Sequence, residues 1–385
     1  MASRARASEG SRNVSIDVLR AVAILSVIAL HWVNSRLSVP GPQGWDAVAA
    51  AFVRIGDHGT YGVTLFFILS GFLITRTTML REPDLFALST RDFYVRRIAR
   101  IQPLFILAVF YGLVMMRYGG DPASRIFQYT FYDPKAVYGG EFIVSLFTFT
   151  YNWERMLHGS DFFFRGMHWD VMWTLAVEEQ FYLLFPLAIL WAGNLKRLYR
   201  LLWAVVAVGI LTRILCDAAH AGFLVKVSNS FVCFDTLALG VICALAGERL
   251  PHGRALCRAL LAVGAVLIAY AYYHGGVVAL ILGALLMIHG ARTVDVFAPW
   301  GAPVARIGQL SYGLYLLHAT GLYLASPYAG RFGIIGGFLL VAGVTWVLGE
   351  LVFRCFEAPM NAWIRARFLK PRPVARPVPA DGGAS

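Results

Sequence analysis

The sequence predicts an all-α fold, a polytopic integral membrane bundle of about ten transmembrane helices with both termini cytoplasmic. Three observations predict it. Hydrophobic residues make up 58% of the 385 residues and charged residues 15%, against roughly 25% charged in an ordinary soluble domain. Apolar runs long enough for a bilayer core of roughly 30 Å recur along most of the chain. Lys and Arg are distributed unevenly between those runs.

Taken in order, the candidate spans lie near residues 16–35, 60–79, 101–117, 172–192, 198–216, 229–247, 255–273, 276–290, 307–326 and 333–354. With loops assigned alternately to the two sides, the N-terminal side holds about 22 Lys and Arg and the opposite side about nine, which places both ends in the cytoplasm. The expected organisation is a cytoplasmic N-terminal segment (1–14), a transmembrane domain (15–363) and a disordered cytoplasmic tail (364–385) ending in PRPVARPVPADGGAS. Residues 117–171 are expected to fold as an outer loop over a cavity. Within that loop Phe142 to Tyr151 is apolar but too short to span, so it is interfacial or re-entrant.

The formal charge of +12 comes from basic residues lying between apolar segments. Anionic lipid headgroups and phosphorylated small molecules are the partners this arrangement suits, and nucleic acid is excluded. The five cysteines form no CxxC pair, and neither a metal-ligand spacing nor a disulfide framework is present. The first apolar run lacks an A-x-A-like site and reads as a retained helix. No internal repeat is visible, which counts against a transporter built from inverted halves. Oligomeric state is left open.

Ionisable residues inside apolar spans are expensive, and so mark function. The first span carries Asp17, Arg20 and His31. Arg20 and His31 are eleven residues apart, which returns to within about 20° of the same face some 16 Å along the axis. Asp17, three residues before Arg20, is placed to pair with it. Next come TLFFILSGFLITR, with a tight Ser-Gly pair, and RDFYVRRIARIQP, whose Arg96, Arg97 and Arg100 suit phosphate binding. Glu178 and Glu179 fall about two turns inside the fourth span, and Glu178 is expected near the depth of His31, where a carboxylate would orient the imidazole. In the ninth span Ser311, Tyr315 and His318 share a stripe. Glu357, in FRCFEAPMNAW, is expected at the level of Arg20, with Pro359 ending the helix.

Together the Arg-x10-His spacing, FFILSGFLI, RRIARIQP, WTLAVEEQFYLLFP, SYGLYLLH and FEAP resemble the type-3 membrane acyltransferases, in the family's order and over residues 15 to about 363. The resemblance implies about ten helices and O-acylation of carbohydrates, or less often macrolides, from a cytoplasmic acyl-CoA co-substrate, with no permanently bound cofactor and no metal. By motif position it implies a catalytic pair His31 and Arg20, a third essential residue Glu178, and donor-phosphate binding by Arg96, Arg97 and Arg100. Asp17, Glu179, Ser311, Tyr312, Tyr315, His318 and Glu357 are cavity or acceptor candidates. One departure is Thr174-Leu175-Ala176-Val177, where the family usually has Ser-Leu-Ser-Val, so a hydroxyl at 176 is missing. The hydrolase-like domain that some family members carry is absent from this sequence, so the transfer is expected to finish here or on a separate partner.

The expected reaction moves an acetyl or other short acyl group to a sugar hydroxyl of a surface polysaccharide or lipopolysaccharide, on a free or lipid-linked glycan, in the bacterial cytoplasmic membrane. His31 acts either as general base or as an acyl carrier. The alternatives are a macrolide-type acceptor and, in another class, a proton-coupled transporter or flippase using the same buried charges.

Overall fold

The computed structural model describes residues 13–35, 46–82, 84–118, 140–158, 171–247, 249–251 and 253–369. Among them every regular element is a helix: α1 (Val14–Val33), α2 (Asp46–Asp57), α3 (Tyr61–Met79), α4 (Thr90–Tyr118), α5 (Gly140–Phe147), α6 (Tyr151–His158), α7 (Met172–Ala192), α8 (Leu195–Ala218), α9 (Phe223–Ser228), α10 (Ser230–Ala246), α11 (Arg254–His274), α12 (Val277–Ala291), α13 (Ala302–Gln309), α14 (Ser311–Ala329), α15 (Gly333–Val352) and α16 (Ala358–Phe368). Each expected span falls on one of α1, α3, α4, α7, α8, α10, α11, α12, α14 and α15. Eight helical stretches among the described residues are long and apolar enough to cross a membrane. The last of these, 311–368, contains both α14 and α15, while α12, at 15 residues, is shorter. The chain is an all-α, multi-pass membrane protein.

Local chemistry fixes the helix ends. The Asn13 side chain accepts from Ile16 N at 3.0 Å, and the Asp295 carboxylate accepts from Val14 N at 2.7 Å and Ser15 N at 3.0 Å. The start of α1 therefore satisfies its open N–H groups with one local and one distant acceptor, which ties it to the segment after α12. Inside α4, Pro103 has no N–H to give to Ala99 O. Asn361 on α16 supplies the missing donor at 2.9 Å, so the irregularity in one helix docks another.

Close approach of backbones sets the centre of the bundle. A Cβ at Gly71 on α3 would collide with the Leu237 carbonyl of α10, and one at Gly240 would collide with the Ile68 carbonyl of α3. Small residues on both helices let them pack backbone to backbone. Toward the outside, α8 exposes Trp203, Val208, Leu211, Ile214 and Leu215, as a lipid-facing surface requires. Its one inward charge, Arg213, forks onto the buried Asp235 carboxylate at 2.9 and 3.0 Å and also donates to Val232 O. Three apolar clusters, around α4, α7 and α10, around α3, α11 and α12, and around α1, α14 and α15, meet where the polar residues of α1, α3, α4, α7 and α14 converge.

The C-terminal expectations need correction. Pro359 does not end the helix. The chain passes without a break through a π-helical turn, Phe353–Glu357, and Pro359 falls in the first turn of α16. Residues 364–368, expected in the tail, are helical. Residues 370–385 and 1–12 lie outside the described residues, as do 119–139 and 159–170 of the expected outer loop. Phe142 to Tyr151 forms most of α5, a turn and the start of α6, with Phe142, Leu146 and Tyr151 buried in the α4–α7 core.

Candidate active site

A cavity of about 510 Å³ is enclosed by α1, α3, α4, α7, α14 and α16. Arginines crowd one end. Arg96, Arg97 and Arg100 line it from α4, with the Arg97 guanidinium 4.8 Å above the Tyr182 ring and Arg100 Nη1 3.6 Å from Glu357 Oε1. Arg20 reaches in from α1. It donates to Ser311 Oγ at 2.9 Å and lies 3.5 Å from the Asp17 carboxylate. Further along, Glu178 accepts from Ser70 Oγ at 2.8 Å and Tyr182 Oη at 3.2 Å, which satisfies both oxygens of a carboxylate set in an apolar helix. Tyr312 donates to the Ile101 carbonyl at 2.8 Å, beside the Pro103 irregularity. Tyr315 closes the wall, with its ring edge-on to Phe66.

His31 lies beyond this closure. Its ring stands 5.0 Å from that of His318, which in turn is 5.7 Å from Tyr315. His318 Nδ1 is 2.7 Å from the Tyr315 carbonyl. A carbonyl only accepts, so Nδ1 carries a proton and, in the neutral ring, Nε2 is the acceptor. The Arg155 guanidinium also lies within electrostatic reach of His31. Arg155 is buried over the Trp173 ring at 5.2 Å and donates to Ser228 Oγ.

The family described as an acyltransferase domain matches residues 13–350. The chain belongs to that family. This is the membership that the six motifs implied. The chain is 27% identical over 90% of its length to peptidoglycan O-acetyltransferase OatA of Listeria monocytogenes, of which the match covers 55%. It is 27% identical over 89% of its length to Nodulation protein 10 of Rhizobium leguminosarum bv. viciae, of which 93% is covered. It therefore spans about half the length of the first relative. No solved structure matches.

Within this acyltransferase fold the expected residues divide into two groups. Asp17, Arg20, Arg96, Arg97, Arg100, Glu178, Ser311, Tyr312 and Tyr315 line the cavity. Glu357 stands behind Arg100, and His31 and His318 form the ring pair past Tyr315. The expected contact between Glu178 and His31 is replaced by another arrangement: the hydrogen bonds of Glu178 go to Ser70 and Tyr182, and the imidazole neighbour of His31 is His318. Helical phase and rise place residues along one helix and do not specify the neighbour across the interface. Glu179 is outside the cavity wall, with Oε1 buried and no hydrogen-bond partner among the described residues. Thr174 lines the cavity and Ala176 does not, so the missing hydroxyl is at a position that faces away from it.

Ser70, Tyr182 and Arg365 are among the cavity residues that the sequence did not single out. Ser70 belongs to the small pair in FFILSGFLI, and Tyr182 is one turn after Glu178 on the same face, a signal available from spacing alone. Arg365 follows the last apolar span and carried no signal. Gln180, next to the two carboxylates, also has a role. It donates to Phe149 O at 2.5 Å and Asn152 Oδ1 at 2.8 Å and accepts from Ser230 Oγ at 2.6 Å, holding a turn in which Phe149 has φ of 55°.

Proposed function

We propose that the protein is an O-acyltransferase that moves an acetyl or other short acyl group from cytoplasmic acyl-CoA to a hydroxyl of a cell-surface glycan, working in the bacterial cytoplasmic membrane. One observation carries this reading. A cavity lined by six arginines (Arg20, Arg81, Arg96, Arg97, Arg100, Arg365) against three carboxylates (Asp17, Glu82, Glu178) has Tyr315 in its wall, and past Tyr315 stand the paired rings of His318, which is buried, and His31. A polyanionic donor suits the cationic end. From Arg20 to His31 the helix rises some 16 Å, and the pantetheine arm of coenzyme A is roughly 15 to 20 Å extended. A donor whose phosphates are held by the arginines thus reaches the imidazoles with its thioester.

In this scheme the acceptor hydroxyl oxygen attacks the thioester carbonyl. A C–O bond forms, the C–S bond breaks, and the hydroxyl proton passes through the His31 imidazole to the departing thiolate. If His31 is first acylated, a C–N bond forms as the C–S bond breaks and the imidazole proton goes to the thiolate; the acceptor oxygen then forms the C–O bond as the C–N bond breaks, and its proton returns to the imidazole. His318, fixed by the Tyr315 carbonyl, orients the His31 ring in either route. Glu178, held by Ser70 and Tyr182, sets the passage wall that the donor arm follows. The peptidoglycan in the name of the Listeria relative favours a glycan acceptor over a macrolide.

The test uses purified protein in micelles with acyl-labelled acetyl-CoA and glycan fragments. Label recovered on the glycan as an alkali-labile ester supports the reading. Acyl-CoA-independent solute uptake by proteoliposomes, with no ester formed, overturns it in favour of transport.

A further inference from the structure

The C-terminal helix brings a fourth arginine to the α4 cluster. α16 runs antiparallel to the start of α4: Glu357 meets Arg100, Asn361 meets Ala99, and Arg365, one turn past Asn361, lines the same cavity as Arg96 and lies within its electrostatic reach. Arg365 lines the cavity, and its Nε is buried with no hydrogen-bond partner among the described residues. The charged groups acting on it are Arg96, Arg100 and Arg97, all cationic. Two of these are already engaged, Arg100 by Glu357 and Arg97 by the Tyr182 face. Arg96 and Arg365 have no carboxylate partner among the described residues. Guanidinium groups gathered in a partly buried mouth without a counter-charge repel one another unless an anion sits between them, and a dianionic phosphomonoester offers enough oxygens to accept from both forks.

We propose that Arg365 and Arg96 form a phosphomonoester site at the cavity mouth, one turn outside Arg100, and that its ligand in the working enzyme is the 3′-phosphate of the acyl-CoA donor. The proposal rests on the donor reading above. It assigns a ligand-binding role to a helix that lies beyond the matched residues 13–350.

Binding of coenzyme A and of 3′-dephospho-coenzyme A to the full-length protein in nanodiscs tests it, with Arg365→Gln and Arg365→Lys beside the unaltered chain. The unaltered chain prefers coenzyme A by about tenfold or more. Arg365→Gln loses that preference while its affinity for the dephospho form stays the same, and Arg365→Lys keeps part of it. The constant dephospho affinity also shows that the variant is folded. A preference that survives in Arg365→Gln, or an equal loss for both ligands, overturns the proposal and leaves the donor reading standing. An unaltered chain that binds neither ligand removes the donor reading and this site with it. Nanodiscs containing phosphatidic acid are compared with phosphatidylglycerol discs of matched charge. Competition specific to phosphatidic acid, present in the unaltered chain and lost in Arg365→Gln, would reassign the site to a lipid headgroup.

Discussion

The imidazole of His31 has a second imidazole for a neighbour, and the carboxylate expected beside it is committed elsewhere. Because His318 Nδ1 is tied to the Tyr315 carbonyl at 2.7 Å, its ring is presented to His31 in a fixed orientation. Replacing His318 with Phe keeps the volume and removes the hydrogen bond. Acetyl transfer is expected to fall by about tenfold or more with little change in donor affinity, read as kcat against KM for acetyl-CoA. Glu178 predicts a different pattern. Glu178→Gln keeps the shape but weakens acceptance from Ser70 and Tyr182, and Ser70→Ala removes one of those donors. Both are expected to raise KM for acetyl-CoA, Glu178→Gln more strongly, because a charged acceptor makes the stronger bonds. If Glu178→Gln lowered kcat alone, the carboxylate would belong with the imidazoles after all.

At the scale of elements, irregular places hold the site together. Pro103 frees the Ala99 carbonyl and Asn361 fills it. Asn361→Ala should therefore cost about 1 to 3 kcal/mol, seen as a lower melting temperature in detergent. Pro103→Ala restores the helix N–H, and in that background the Asn361→Ala penalty should shrink. Additive losses in this cycle would mean the two groups do not share the carbonyl. The Arg213 and Asp235 pair behaves as a structural unit between α8 and α10. Arg213→Ala leaves a bare carboxylate inside the bundle and is expected to cost about 3 to 5 kcal/mol, and the Arg213→Ala, Asp235→Ala double variant should recover much of it.

For the molecule as a whole, the apolar runs made the helices legible, since a bilayer demands about 20 such residues per crossing and little else in a sequence mimics that. The cavity was legible where rare charges sat in those runs: Arg20, Glu178 and the α4 arginines were named from spacing, and all line it. What escaped depends on which helix lies beside which. The His31–His318 pair joins α1 to α14 across 287 residues of sequence, the Asn361 bond answers a proline on another helix, and Arg365 follows a π-helical turn that carries the chain past an expected stop. Tilt and neighbour identity come from packing, which a periodic pattern on one helix does not encode.

The central claim is that donor capture by the arginines and group transfer at the imidazoles belong to one acyl-CoA-dependent reaction. Transfer of label from acetyl-CoA to a glycan by the purified protein, measured for the unaltered chain and for His31→Ala at equal protein level, tests it most directly. The account predicts that His31→Ala binds coenzyme A as the unaltered chain does while transfer falls by about 10²-fold or more. Transfer persisting at near the unaltered rate in His31→Ala would contradict it.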